Sequence, residues 1–189
     1  MSIFILQDHL ASCDKHWIER CQSKSMETGH RLREAHYTLG EHMAEKILDM
    51  TAVDRPQFAV LILMRAGLPF GMGIADKLEK AGSQVAIYFI HHDINNEIKA
   101  KIADRTIILV DAVINSGKSI QQIMITLSEM IRQSVILTTT VIPKETVLKF
   151  EQFNLLVVRV SSNQYQGAKV NTITQGKGPD TGDRLFGTL

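Results

Sequence analysis

Residues 106–119, TIILVDAVINSGKS, decide the fold. The first half of this stretch is a continuous apolar run, which is typical of a strand buried on both faces of a parallel sheet. The run ends in Asp111, and a short loop then leads into a segment of helical character. Ligands of open α/β sheets bind at the carboxyl ends of the strands. The stretch therefore predicts a ligand-binding loop between a central strand and a helix.

The loop at residues 115–119 contains the groups that a phosphate-binding loop needs. Gly117 lets the backbone approach a ligand closely, and Ser116 and Ser119 supply hydroxyl donors. Successive backbone N–H groups and the partial positive charge of a helix N-terminus complete a site for a phosphate. Lys118 adds a further positive charge. We therefore expect a small phosphorylated ligand at this loop.

Apolar runs and helical segments alternate on both sides of this stretch. The predicted strands are residues 58–63, 85–90, 106–110, 135–142 and 155–160, and the predicted helices are residues 14–23, 27–49, 71–81, 118–132 and 144–152. Residues 91–105 are polar and predict a loop, and the tail from residue 161 shows little periodicity. The alternation predicts an α/β fold with a mostly parallel central sheet flanked by helices.

Length and composition limit the organisation and the partners of the chain. Its 189 residues predict one domain, with an N-terminal helical region at 1–55, an α/β core at 56–160 and a C-terminal substrate loop at 161–189. The net charge of +1 argues against a broad nucleic-acid-binding or membrane-binding surface. Only 6% of the residues are aromatic, which disfavours a protein that stacks single-stranded bases.

Neither targeting segments nor metal motifs stand out in the sequence. The apolar run near the N-terminus is too short for a signal peptide, and the run at residues 58–64 is far below the roughly 20 residues that span a bilayer. Cys13 and Cys21 fit reduced thiols, and the histidines form no HExxH motif. We therefore expect a cytoplasmic protein without membrane contacts and without a metal held directly by its side chains.

One alternative for the loop is the nucleotide-binding loop of the P-loop hydrolases. Residues 112–119, AVINSGKS, fit a loose form of that pattern, in which Lys118 reaches the outer phosphates and Ser119 holds Mg²⁺. Asp111 counts against this alternative because its carboxylate would repel a polyphosphate at the strand end. No later predicted strand ends in an acid that could support the metal ion.

Three short segments, in order, carry a resemblance to a second family. Residues 110–119 resemble the binding motif for 5-phosphoribosyl 1-diphosphate of the phosphoribosyltransferases, in which an acid precedes a Ser/Thr-Gly-x-Ser/Thr loop. Residues 61–68, LILMRAGL, resemble the strand and R-A-G-L loop of the uracil phosphoribosyltransferases, and residues 178–189, GPDTGDRLFGTL, resemble their carboxyl terminus. Order and spacing agree along the whole chain. The sequence is thus similar to the uracil phosphoribosyltransferase family, with its type I phosphoribosyltransferase fold.

The resemblance implies an activity, namely transfer of a phosphoribosyl group from 5-phosphoribosyl 1-diphosphate to uracil, which gives UMP and diphosphate in pyrimidine salvage. It implies that Arg65 and Asp111 are catalytic and that Mg²⁺ is held mainly by the substrate. The implied donor-binding residues are Arg65, Asp111, Ala112, Val113, Ile114, Asn115, Ser116, Gly117, Lys118, Ser119 and Asp180. The implied base-binding residues are Thr174, Pro179, Asp180 and Thr181, whereas Asp183 is expected to cap or pair locally.

The resemblance also implies a homodimer or higher homo-oligomer and a possible nucleotide effector. The sequence departs from the family pattern at several places. Ala112 replaces a Pro, Pro179 lacks the N–H of a Gly, and His91 stands near the position of a second Arg. These changes keep two alternatives open: a phosphoribosyltransferase for another base, or an inactive or regulatory nucleotide-binding relative.

Overall fold

The strands of the protein form one parallel sheet in the computed structural model, which describes residues 3–127, 132, 134–162 and 179–188. The order of the six strands across the sheet is β1-β6-β5-β4-β2-β3, and every neighbouring pair is parallel. The strands are β1 (Phe4–Ile5), β2 (Gln57–Leu63), β3 (Gln84–Ile90), β4 (Thr106–Val113), β5 (Ile136–Pro143) and β6 (Asn154–Ser161). The predicted α/β fold with a mostly parallel sheet is confirmed.

Helices cover both faces of the sheet because alternate strand residues point to opposite faces. In β2, Phe58, Val60 and Ile62 pack against α1 (Lys15–Cys21), α2 (Gly29–Asp49) and α3 (Leu68–Lys80). Ala59, Leu61 and Leu63 pack on the other side, in the cluster that holds side chains of α4 (Asn96–Ile102) and α5 (Lys118–Thr126). The remaining described helices are α6 (Lys144–Val147) and α7 (Thr181–Phe186), and 3-10 turns lie at Leu6–Asp8, Ser23–Ser25 and Leu148–Phe150. None of the described helices is long and apolar enough to cross a membrane.

Two predictions about irregular segments are wrong. Residues 91–105 contain α4, which begins after Asn95, whose side chain accepts a hydrogen bond of 2.9 Å from the backbone N–H of Ile98. This helix is too short for its apolar residues to show a helical period, so the sequence pattern did not predict it. The tail, whose sequence predicts no regular element, contains α7 between the capping residues Asp180 and Gly187. The strand β1 was also missed, since two residues give no alternation to detect.

The register of the parallel strands brings three strand ends to one edge of the sheet. Ile62 of β2 is level with Val110 of β4, and Leu63 is level with Ile90 of β3. The chain leaves β2 after residue 63, β3 after residue 90 and β4 near the same level. The three segments that follow these strands therefore begin side by side. This edge is the place where an α/β sheet binds ligands.

Candidate functional site

The loop between β4 and α5 contains a glycine in the left-handed conformation. Gly117 has a φ of 77°, and a Cβ on this residue would lie 2.6 Å from Cε2 of Phe150, so only glycine fits. The helix α5 begins at the next residue, Lys118. Ser116, Lys118 and Ser119 are exposed, and their side chains are open to a ligand.

Threonine side chains of β5 and α6 donate hydrogen bonds to backbone carbonyl groups at the end of β4 and in this loop. Thr140 Oγ1 and Thr139 Oγ1 donate hydrogen bonds of 2.5 and 3.1 Å to the carbonyl oxygen of Ala112. Thr146 Oγ1 donates one of 2.5 Å to the carbonyl oxygen of Asn115. Because its carbonyl groups are bound at the back, the loop is fixed before any ligand arrives. The sequence predicted no role for these residues, although a run of threonines in the middle of an apolar strand is a visible signal.

The carboxylate of Asp111 is half-buried near the end of β4 and interacts with Asp180. Burial, followed by repulsion from Asp180, raises the pKa of Asp111 to about 7, although backbone hydrogen bonds to the carboxylate oppose the shift. The negative charge of Asp180 thus disfavours ionisation of Asp111, and a cation near both residues would relieve this repulsion. Carboxylate oxygens are the ligands that Mg²⁺ prefers in proteins, so this pair suits a substrate that carries Mg²⁺. No group of three metal-binding side chains occurs in the described part of the chain.

Arg65 follows β2 and points toward the C-terminal helix α7. Its Nη2 forms an ion pair with Oδ1 of Asp183, and its Cζ lies 5.8 Å from the centre of the Phe186 ring. The Arg65 side chain is 46% exposed, so part of the guanidinium remains accessible to a ligand. Asp183 pairs locally with Thr188, as expected, and in addition pairs with Arg65, which lies 118 positions away in the chain.

The predicted base-binding residues fall partly inside the described structure. Pro179 is buried, and Asp180 and Thr181 stand at the start of α7, where Asp180 Oδ1 accepts a hydrogen bond of 3.2 Å from the N–H of Asp183. A Cβ on Gly182 would lie 3.7 Å from Cβ of Ala66, so the first turn of α7 packs on the loop after β2. Thr174 lies outside the described residues.

The histidines after β3 lie at the same edge of the sheet. The backbone N–H of Met64 donates a hydrogen bond of 2.8 Å to the carbonyl oxygen of Ile90, the residue before His91. His91 and His92 are exposed, and their ring centres are 6.4 Å apart. His91 is therefore next to the loop that contains Arg65.

A buried arginine of α7 fixes this helix to the N-terminal part of the chain. Arg184 is 1% exposed and forms hydrogen bonds with the carbonyl oxygens of Cys21, Gln22 and Glu27 and with Ser25 Oγ. Arg33 Nη1 donates another bond of 2.6 Å to the carbonyl oxygen of Leu185. The structure thus brings Arg65, Asp111, Asp180 and the loop at 115–119 to one edge, with α7 clamped beside them.

Comparisons with known proteins identify the family and the shared fold of this chain. Residues 25–188 match the family model described as uracil phosphoribosyltransferase. The AQ2163 protein of Aquifex aeolicus has a similar solved structure, with a TM-score of 0.64, 15% identity and 98% of each chain covered. Hypoxanthine-guanine phosphoribosyltransferase of Schistosoma mansoni, solved in complex with IMP, gives a TM-score of 0.54 at 16% identity, covering 68% of this chain and 66% of that one. No curated protein matches.

Proposed function

This chain belongs to the uracil phosphoribosyltransferase family, and from that premise we propose that it transfers a phosphoribosyl group from 5-phosphoribosyl 1-diphosphate to uracil. The products are UMP and diphosphate. The observation that carries the proposal is the convergence of the loop at 115–119, the acidic residue Asp111 and Arg65 at one edge of the sheet. These three features match the three charged or polar parts of the donor, which are the 5-phosphate, the ribose hydroxyls and the diphosphate.

The 5-phosphate of the donor binds the loop after β4 in this proposal. The backbone amides and hydroxyls of residues 115–119 surround it, and Lys118 adds attraction. Residues 111–114 lead into the loop, and the threonines behind it keep the amides in place. A fixed loop spends no binding energy on ordering itself when the phosphate arrives.

During bond cleavage at C1, positive charge grows on the ribose and negative charge grows on the leaving diphosphate, and the enzyme must stabilise both. The C1–O bond breaks with its electron pair on the diphosphate, a C1–N1 bond to uracil forms, and the N1 proton passes to solvent water. Arg65 stabilises the negative charge that grows on the leaving diphosphate, since a guanidinium forms paired hydrogen bonds with phosphate oxygens. Ionised Asp111 accepts hydrogen bonds from the ribose hydroxyls. Mg²⁺ bound to the diphosphate would neutralise part of its charge.

The start of α7 provides the proposed base site. Uracil is planar and uncharged, so a few rigid polar groups can select it by the order of its donors and acceptors. Pro179, Asp180 and Thr181 stand beside the loop that contains Arg65, and Thr174 is the further residue that we propose for the base. We also propose a role in pyrimidine salvage for a cytoplasmic single-domain protein that forms a homodimer or a higher homo-oligomer.

Another base is the second candidate substrate. Pro179 has no N–H with which to bind a carbonyl oxygen of uracil, so the pattern of donors differs from that of the family. A base with a different order of donors and acceptors would suit this site. An inactive or regulatory relative that binds a nucleotide at the same loop is the remaining alternative.

Release of diphosphate tests the function directly. The protein is incubated with Mg²⁺, 5-phosphoribosyl 1-diphosphate and one free base at a time, and diphosphate is measured. We expect release with uracil and a loss of about 100-fold in the Arg65→Ala variant. Arg55→Ala is the matched control, because the exposed Arg55 lies near the opposite end of β2. Release of diphosphate with another base alone would identify that base as the substrate in place of uracil. No release with any base would refute the transferase activity.

A further inference from the structure

We propose that Asp183 is a positioning residue that holds Arg65 in place for the sugar diphosphate, and that Arg184 anchors the helix α7 from which Asp183 acts. The proposal rests on the proposed function, because it gives Arg65 its role at the diphosphate. It goes further by assigning a positioning role to Asp183 and an anchoring role to Arg184, neither of which is among the residues expected to bind the donor or the base.

Asp183 is held in a fixed orientation. Its Oδ1, which pairs with Arg65 Nη2, also accepts a hydrogen bond of 2.6 Å from Thr188 Oγ1. Its backbone N–H donates to Asp180 Oδ1 at 3.2 Å, and its carbonyl oxygen accepts from the N–H of Thr188 at 3.1 Å. The Asp183 side chain is only 17% exposed. A carboxylate fixed in this way can set the direction of a flexible arginine.

Arg65 keeps most of its hydrogen-bonding capacity while it is paired. A guanidinium has five N–H donors, and the contact with Asp183 is made by Nη2. The Phe186 ring, 5.8 Å from Cζ, and the first turn of α7 near Nε restrict the side chain from two further directions. The donors that remain can bind phosphate oxygens. The ion pair therefore orders Arg65 without removing it from the site.

The anchor of α7 lies on its other side. The buried Arg184 donates five hydrogen bonds to described residues of the segment at 21–27. Ser25 Oγ, one of its partners, itself donates to the carbonyl oxygens of Arg20 and Gln22 at 2.6 and 2.8 Å. A six-residue helix has little stability of its own, so these contacts decide where it sits. Neighbouring residues of α7 thus connect the N-terminal segment to Arg65.

If Asp183 positions Arg65, removing the Asp183 carboxylate should lower the reaction rate only while Arg65 is present. A misplaced charged group loses most of its effect on a transition state, so we expect Asp183→Ala to lower kcat/KM for the sugar diphosphate about tenfold. The KM for the base should stay within about twofold, because the change does not touch uracil directly. Asp183→Asn keeps an oxygen acceptor for Arg65 and Thr188, and should recover activity to within about threefold of the wild type.

A double-mutant cycle on the full chain tests the proposal. Turnover and binding of Mg²⁺-diphosphate are measured for the wild type and for the Asp183→Ala, Arg65→Ala and double variants. If Asp183 acts through Arg65, Asp183→Ala costs about tenfold in the wild type and under twofold in the Arg65→Ala background. Glu41→Ala is the control, since it removes an ion pair of 3.1 Å with Lys80 away from the site and should change nothing.

Side-chain NMR of arginine supplies a readout that does not depend on activity. The Arg65 signals, assigned with an Arg65→Lys variant, should indicate a restricted guanidinium in the wild type and Asp183→Asn and a freely rotating one in Asp183→Ala. Equal losses in both backgrounds, or a restricted Arg65 in Asp183→Ala, would overturn the positioning role while leaving the transferase intact. A wild type that binds no diphosphate and transfers to no base would instead refute the proposed function, and the positioning role with it.

Discussion

A single buried histidine shows how strongly one residue can couple this fold to pH. His36 lies in α2 with 1% of its surface exposed, and neither ring nitrogen has a hydrogen-bond partner among the described residues. Burial, followed by repulsion from Arg184, lowers the pKa of His36 to about 3. The unfolded chain has an ordinary histidine with a pKa of about 6.5. Protonation of this residue therefore favours unfolding.

Replacement of His36 by leucine should make the protein less sensitive to acid. The stability that depends on a neutral His36 is complete above about pH 6.5 and is lost as the pH falls from there toward the folded pKa. At pH 4.5 the loss is about 2–3 kcal/mol. Urea unfolding at pH 7 and pH 4.5 should show this difference between the wild type and His36→Leu. The exposed His92→Leu serves as the control, and an equal acid loss in all three proteins would contradict the role of His36.

Sequence reasoning identified single residues where chemistry and local spacing coincide, and missed those whose partners are distant. Arg65 after an apolar strand, Asp111 at a strand end and Gly117 in a short loop are visible in the sequence, and the structure brings the three segments to one edge of the sheet. Asp183 and Arg184 lie within the recognisable C-terminal segment at 178–189, but nothing near them in the sequence indicates their distant partners. Their roles depend on contacts with residues more than 100 positions away, which no local pattern reports.

At the scale of elements, the loop between β4 and α5 depends on one glycine. An alanine at Gly117 would require a left-handed conformation that costs about 1–2 kcal/mol, and its Cβ would strike Phe150. Gly82→Ala is a matched control, since Gly82 has a similar φ of 89° but nothing within 4 Å of its Cβ position. We expect similar backbone costs in both variants, but a loss of affinity for UMP of tenfold or more in Gly117→Ala alone. Calorimetric titration measures the affinity for UMP. Equal affinities in the two variants would contradict a role for the close packing at Gly117.

The long strands were predictable because each is a largely apolar run, although β3 at the edge of the sheet is only partly buried. The observed β2, β3 and β6 each begin one residue before the predicted segment and end within one residue of it. Continuous apolar runs of this kind have few alternative structures. The short elements were not predictable in the same way: α4, α7 and β1 are stabilised by caps and by contacts with the rest of the protein. Propensity and periodicity carry little information over so few residues.

At the scale of the whole molecule, Arg184 joins the two ends of the described chain. Its replacement by methionine keeps an unbranched side chain but leaves the carbonyl oxygens at 21–27 without their donor. We expect Arg184→Met to lower the free energy of unfolding by about 2–4 kcal/mol. Arg33→Met, which removes one hydrogen bond to Leu185, should cost about 1 kcal/mol. Urea unfolding gives both values. Similar costs would show that the Arg184 contacts contribute no more than a single bond.

The pairing of β1 with β6 determines when the molecule can finish folding. Phe4 is level with Leu156, so the first strand joins the sheet beside the last. The segment at 21–27 has its partner in Arg184, still later in the chain. During synthesis the N-terminal segment thus leaves the ribosome long before its partners exist. Contacts between distant residues form slowly because a large loop must close first. The contacts between Arg184 and residues 21–27, which hold α7 beside Arg65, are therefore among the last parts of the structure to form on a growing chain.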